Sequence, residues 1–335
     1  MRRLAAIVAL TVSSVATAQA VPTIGSGSAG KNARSPYFGS AVSYGHQLSA
    51  YNYTEETVSW SHRIGLMPEF HFGKHASVRA RLYLSQEFTL SDSTNTRHEV
   101  ELSDLWLDGV WGGYTEKITG LRIGGDLRAT FPTSRGSQAA SRLFTLGPSA
   151  NLSRHFNVLG GLTLIYSSRF TWRFNQFTTR QNAGGRIVNC AGLNAPELCI
   201  DTATGVRNVQ ADVIHGPTIS FSPHERLNIS ATFLMQHGWL SPLSAPPPEL
   251  AGVVIPDTVN TASPVNTRDF TAFSCGVTYT PWDVVSFTLG AFSFQTQRDT
   301  EGALVFPLFN RSTVVSLDAT FDIEAAVSSF TKEKS

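Results

Sequence analysis

Apolar and polar side chains alternate with a period of two through about twelve segments, and this constrains the chain more than any other feature. In the segment 158–174 the even positions carry Val158, Leu162, Leu164, Tyr166, Phe170, Trp172 and Phe174, and the odd positions carry Thr163, Ser167, Arg169, Thr171 and Arg173. In 313–323, Val315, Leu317, Ala319, Phe321 and Ile323 share one face, opposite Ser316, Asp318, Thr320 and Asp322. Segments 78–84, 121–131, 227–235 and 271–279 behave similarly. An amphipathic helix would place apolar residues three and four apart, and no long stretch does so. The chain is predicted to be all-β.

The connections add a second constraint. Tight turns are expected at Gly73–Ala76, Gly112–Glu116, Ser153–Phe156, Ser222–Glu225 and Pro281–Asp283. Between them lie the longer polar segments Ser49–Glu56, Ser91–Glu99, Pro132–Ser141, Asn175–Asn208, Ser241–Arg268 and Thr296–Arg311. This strict alternation of short and long predicts a single antiparallel transmembrane β-barrel of about twelve strands, with short periplasmic turns and long extracellular loops. A soluble sandwich has no reason to lengthen every second connection. Aromatic residues near the strand ends (Trp60, Phe72, Trp111, Tyr114, Trp172, Trp239, Tyr279, Trp282) fit interfacial girdles.

Composition agrees with this reading. Charged residues make up 15% of the chain, against roughly 25% in an average soluble domain. The basic start Met1-Arg2-Arg3, the apolar run Leu4–Val12 and Ala18-Gln19-Ala20 are expected to be a signal peptide over residues 1–20. A flexible periplasmic leader (21–35), the barrel (36–330) and a tail (331–335) then follow. Without Arg2 and Arg3 the chain carries 24 basic against 25 acidic residues, a balance that disfavours nucleic acid as a partner. In an oxidising compartment Cys190 and Cys199 are expected to form a loop disulfide. Cys275 falls on an apolar strand face.

Over its whole mature length the chain resembles the bacterial outer-membrane β-barrel class. The segment Gly125-Asp-Leu-Arg-Ala-Thr-Phe-Pro-Thr-Ser134, with Leu146-Gly-Pro-Ser149, is locally similar to segments of hydrocarbon- or phenol-pathway transporter-like barrels, with Ser134 in place of glycine. The class implies a bacterial outer-membrane location, lipid and lipopolysaccharide as neighbours, insertion by the barrel-assembly machinery and passage of small solutes. Barrels of this class often end on an aromatic residue. Here either Phe330 is that residue, or the last strand ends near Ile323.

If the apolar faces meet lipid, the opposite faces line the lumen. The candidate pore-lining residues are Arg79, Arg81, Asp104, Asp108, Arg122, Asp126, Arg128, Arg169, Arg173, Asp212, Asp318 and Asp322. An Arg81–Asp108–Arg122 ladder bracing the wall is one expectation. The other is a transverse field between Arg128, Arg169 and Arg173 on one side and Asp318 and Asp322 on the other, which would orient solutes. Arg135, Arg142, Arg180 and Arg186 would add positive charge to the external loops.

Passive passage through a charged lumen, with no enzymatic activity and no cofactor, is the favoured function. A plugged structural or surface-interaction barrel and an outer-membrane lipid hydrolase are the alternatives. For a hydrolase, His215 and His237 follow the apolar phase, but neither is expected to meet a serine. Glu69 and His71 share a strand face without enough further ligands for a metal site. The glycine-serine run Gly25–Gly30 lacks the spacing of an esterase elbow.

Overall fold

The computed structural model describes residues 37–50, 59–73, 75–89, 98–158, 160–181, 203–242, 266–298, 303–310 and 312–332. Twelve staves form one antiparallel ring. They are β1 (Ala41–Ser49), β2 (Trp60–Met67, continued as Glu69–Phe72), β3 (Ala76–Glu87) and β4 (Val100–Leu102, continued as Leu105–Thr115). Next come β5 (Leu121–Phe131), β6 (Arg142–Phe156), β7 (Leu162–Asn175) and β8 (Val209–His224). The last four are β9 (Leu227–Leu240), β10 (Thr267–Trp282), β11 (Val285–Thr296) and β12 (Val314–Asp322). Each stave pairs with its sequence neighbours, and β1 closes the ring on β12 from Ala41 opposite Asp322 to Ser49 opposite Val314. Closure leaves no sheet edge, so the spanning ladder is satisfied without water.

Side-chain phase follows the predicted alternation. Tyr44, Ile64, Leu66, Leu127, Leu152, Ile219, Leu289 and Leu317 stand exposed on the outer wall. The intervening positions, such as Ser43, Asp108, Thr171, Asp212 and Ser316, are buried inside. Trp60, Trp172 and Trp239 lie toward the long-loop end of this apolar band, and Phe72, Trp111, Tyr114, Tyr279 and Trp282 toward the other. Pro68 interrupts β2 because it has no N–H to give the ladder. Its carbonyl still accepts from Ala80 N at 2.9 Å, so the stave continues.

Two expected turns lie elsewhere. The β4–β5 turn is at Glu116–Gly120, not Gly112–Glu116, because Gly112-Gly113 is a bulge that the stave passes through. Gly113 sits at φ +85°, where a Cβ would approach the Ile123 carbonyl oxygen to 2.1 Å. The Glu116 carboxylate closes the true turn by accepting from the backbone N–H groups of Ile118 and Thr119. The Thr119 hydroxyl and these N–H groups hold that carboxyl below its ordinary range. Likewise Ser153–Phe156 belongs to β6, which ends at Phe156, and β7 begins at Leu162.

Four features lie outside the ring, one of them a two-stranded ribbon of Thr179–Gln181 and Ala203–Arg207 in the β7–β8 connection. The β5–β6 connection contains a short helix, α1 (Arg135–Ala139), with the Ser134 hydroxyl accepting from Ser137 N. The last stave ends at Asp322, the earlier of the two ends considered, and α2 (Ile323–Lys332) follows. The Asp322 carboxylate starts this helix by accepting from Ala325 N at 2.9 Å. The chain after β11 returns along the outer wall as a strap. There Val305 and Phe306 carbonyls accept from the Gln295 amide at 3.3 and 2.9 Å, and the Pro307 carbonyl accepts from the Ser293 hydroxyl. The expected signal peptide, leader and Cys190–Cys199 disulfide lie outside the described residues.

The bulge makes a direct prediction. Gly113→Ala should lower the unfolding free energy by roughly 1–3 kcal/mol, the cost of a non-glycine residue held at positive φ. Gly109→Ala, whose Cβ would meet nothing nearer than 3.9 Å, should change little. Urea midpoints of the heat-modifiable folded band measure both.

Candidate functional site

Inward phase on neighbouring staves brings carboxylates and guanidiniums together across the β3–β8 wall. Asp108 on β4 stands opposite Arg128 on β5 and opposite Arg79 on β3. Arg128 binds it in a fork, Nε at 2.6 Å and Nη2 at 3.1 Å, and its guanidinium lies 4.3 Å from the centre of the Trp106 ring. Arg81 is buried beside them and adds to the positive field at Asp108. One stave on, Asp126 takes Arg169 Nη2 at 2.7 Å and the Ser149 hydroxyl. Higher in the barrel Arg173 pairs with Asp212, which is fully buried. At the mouth Asp104 accepts from Arg142 at 3.3 Å, from Ser134 N at 3.0 Å and from the Ser137 hydroxyl, so it fixes α1 to the rim.

This belt corrects two expectations. Arg122 does not join the Asp108 ladder; it lies at the short-turn rim, opposite Thr115, and its guanidinium donates to the Gly112 carbonyl. The displaced turn shifts the register, and Arg128 takes its place. Nor do the charges separate into opposed walls. Asp318 on β12 is paired with Arg63 on β2 at 3.1 Å, across β1, while Arg128, Arg169 and Arg173 each hold their own carboxylate. Asp322 starts α2. Arg142, expected in an external loop, is an inward belt residue.

Glu69, considered for metal, is a structural anion. It accepts from Arg79 Nε at 2.9 Å and from the Ser77 hydroxyl at 2.9 Å, with His71 at 3.3 Å. Among the described residues no group of His, Cys, Asp and Glu is arranged to hold a metal ion.

The opposite wall carries fewer charges: Asp318, paired with Arg63, and Asp322 at the start of α2, with Glu225, Arg226 and Asp283 at the short-turn rim. A cavity of about 220 Å³ occupies the short-turn half of the lumen and reaches the turns at Glu225–Arg226 and Asp283–Val284. Hydroxyls make up much of its lining, including Ser230, Ser274, Thr278, Ser286, Thr288 and Ser316, and the Arg63–Asp318 pair lies among them. Many of these satisfy each other: Thr218 with Thr232 and Thr278 with Thr288, both at 2.9 Å. Above the cavity on this wall, Phe270, Phe292 and Phe294 form a buried cluster with Ala272 and Leu234. The Phe270 and Phe294 rings stack at 4.8 Å. Sequence reading missed this cluster because phenylalanine in an alternating strand reads as lipid-facing. The only signal is phase, since Thr271, Ser293 and Gln295 occupy the outward positions there.

On the lipid face, His215 accepts from or donates to Tyr166 OH at 2.8 Å, depending on tautomer, and stacks on His237 at 5.7 Å. His237 contacts Asp269 at 3.1 Å. Ser168 stands opposite His215 in register, on the neighbouring stave that sequence reading did not consider.

The fold is similar to that of an outer-membrane channel from Pseudomonas putida F1, with a TM-score of 0.51 and 9% identity over 88% of this chain and 98% of that one. Lower scores link it to the NanC porin (0.42; 8% identity; 85% and 100% covered) and to the transport unit of the autotransporter AIDA-I from Escherichia coli (0.42; 10% identity; 94% and 96% covered). At such identities the likeness is one of fold. No family model matches the chain, and no curated protein matches it.

The belt is expected to carry stability. Asp108→Ala should cost about 3–5 kcal/mol, because it strands buried guanidinium charge. Adding Arg128→Met should recover only part of this, since Arg81 would still face the gap. Urea unfolding of the two variants in detergent measures both steps.

Proposed function

We propose that this outer-membrane barrel is a channel for passive passage of small solutes, in which the paired charges brace one wall and leave the other as the path. The observation that carries this reading is the polar cavity of about 220 Å³ in the short-turn part of the lumen. A barrel serving only as a scaffold has no need of a polar interior void reaching its rim. Passive passage requires no cofactor and no catalytic group. Lipopolysaccharide is the expected outer-leaflet neighbour, with the barrel-assembly machinery as the route of insertion.

One observation favours a second reading, lipid hydrolysis at the outer wall: Ser168 faces His215 across β7 and β8. Against it, the hydrogen bond at His215 Nδ1 goes to Tyr166. Release of acyl chains by the purified barrel, lost in Ser168→Ala, would establish that reading.

Conductance in a planar bilayer tests the channel. Steady openings are expected with little preference between cations and anions, because the charges are paired. Arg169→Ala uncovers Asp126 and should shift the reversal potential toward cations. A folded barrel that never conducts, or an unchanged reversal potential in a conducting Arg169→Ala protein, would count against the mechanism.

A further inference from the structure

Two walls of different chemistry enclose the lumen, and their difference bears on what crosses it. On the β3–β8 side the arginines at 128, 142, 169 and 173 are each matched to a carboxylate within the wall; Arg63 is matched to Asp318 in the lining of the cavity itself. Moving any of these aside would separate ions in a low-dielectric interior, which leaves a stranded charge. That wall is fixed, and its pairs project little net field for an ion to follow.

The β8–β12 side differs in degree: its mid-lumen charge is the Arg63–Asp318 pair, which is internally neutral, and Glu225, Arg226 and Asp283 stay at the rim. Its lower half presents hydroxyls in short ladders, with Asn228 donating to Ser220 and Ser222 at 2.8 and 2.9 Å in addition to the two threonine pairs. A hydroxyl that bonds to its neighbour can exchange that bond for one to a solute hydroxyl at little net cost. Directly above, the lining of the cavity stops at Ser274, Gly290, Ala291 and Ser316, and the next inward side chains are Ala272, Phe292 and Phe294. The aromatic cluster is held by ring packing, with the Arg268 guanidinium 5.9 Å from the Phe270 ring centre and no hydrogen bond from the rings themselves. Rings can rotate away from one another without leaving a buried polar group unpaired, so this is the part of the lumen that opens at least cost.

Resting on the channel reading above, we infer that the permeant class is small neutral solutes bearing several hydroxyl groups and an apolar face. They cross along the β8–β12 wall, and the Phe270–Phe292–Phe294 cluster is the gate between the cavity and the long-loop mouth. The hydroxyl ladders exchange hydrogen bonds with the solute. The ring faces meet its C–H surface as it passes. The cavity volume of about 220 Å³ falls below the roughly 300 Å³ at which pockets for drug-sized ligands begin, so the solute is small.

The test is swelling of proteoliposomes in isosmotic glucose, gluconate or glucosamine, which match in size and differ in charge. Folding is checked by heat-modifiability, and conductance is recorded on the same preparations. Glucose is expected to enter several-fold faster than either charged analogue. Phe294→Ala should raise the glucose rate several-fold, and Thr278→Val with Thr288→Val should lower it several-fold. Equal rates for the three solutes, or faster entry of a charged one, in a protein that conducts would overturn the solute class and leave the channel standing. A Phe294→Ala protein with unchanged glucose entry and unchanged conductance would remove the gate. A folded protein with neither swelling nor conductance would end both this inference and the channel reading.

Discussion

Hydrogen bonding between β1 and β12 is the constraint on which the rest of the barrel depends. Nine consecutive register pairs join the first stave to the last, from Ala41 opposite Asp322 to Ser49 opposite Val314. In hydrocarbon each unpaired backbone group costs several kcal/mol, so an open sheet of these strands could not remain in the membrane. Closure then fixes everything within, because a period of two allows each strand a single choice of phase. With lipid outside, every second side chain must enter a lumen only twelve staves round.

What enters that lumen is decided by pairing more than by total charge. Asp108 and Asp212 are almost wholly buried, a position in which an isolated carboxylate would lose its hydration without return. Each instead faces an arginine from an adjacent stave, and Arg128 also lies over the Trp106 ring. These contacts need correct register on both sides of each stave. They therefore favour the native pairing over a two-residue slip, which would preserve phase but part every ion from its partner. The belt and the backbone ladder thus specify the same register independently.

Fold class and strand number were legible in the sequence because each depends only on alternation and on the spacing of the connections. Partners were not, because they depend on where turns fall. Reading Gly112-Gly113 as a turn was reasonable for glycine, yet this pair serves as a bulge, and the true turn lies at Glu116–Gly120. That displacement is why Arg122 was paired with Asp108 in place of Arg128. Arg63 was overlooked because its partner, Asp318, is 255 residues away and the two meet only when the ring closes. On the lipid face, Tyr166 and Ser168 were missed beside His215 because only the β8–β9 hairpin was considered and the neighbour on β7 was not.

The one place where alternation misleads is the upper end of β10 and β11, and there the physical logic is inverted locally. Thr271, Ser293 and Gln295 occupy outward positions that elsewhere hold Phe287 or Leu289, and all three are buried. The strap covers Ser293 and Gln295: its carbonyls take the Ser293 hydroxyl and the Gln295 amide, and Leu304, Phe306, Leu308 and Phe309 are exposed along it. The outer surface stays apolar although the strand beneath it does not. With lipid contact assigned to the strap, the inward phenylalanines at this height are not needed to satisfy the membrane. Their presence requires a reason inside the lumen, and packing across the path above the cavity is a reason consistent with their burial. The same two strands thus carry a polar face under the strap and an aromatic face toward the lumen, the reverse of the arrangement lower down, and the reversal falls where the open cavity ends.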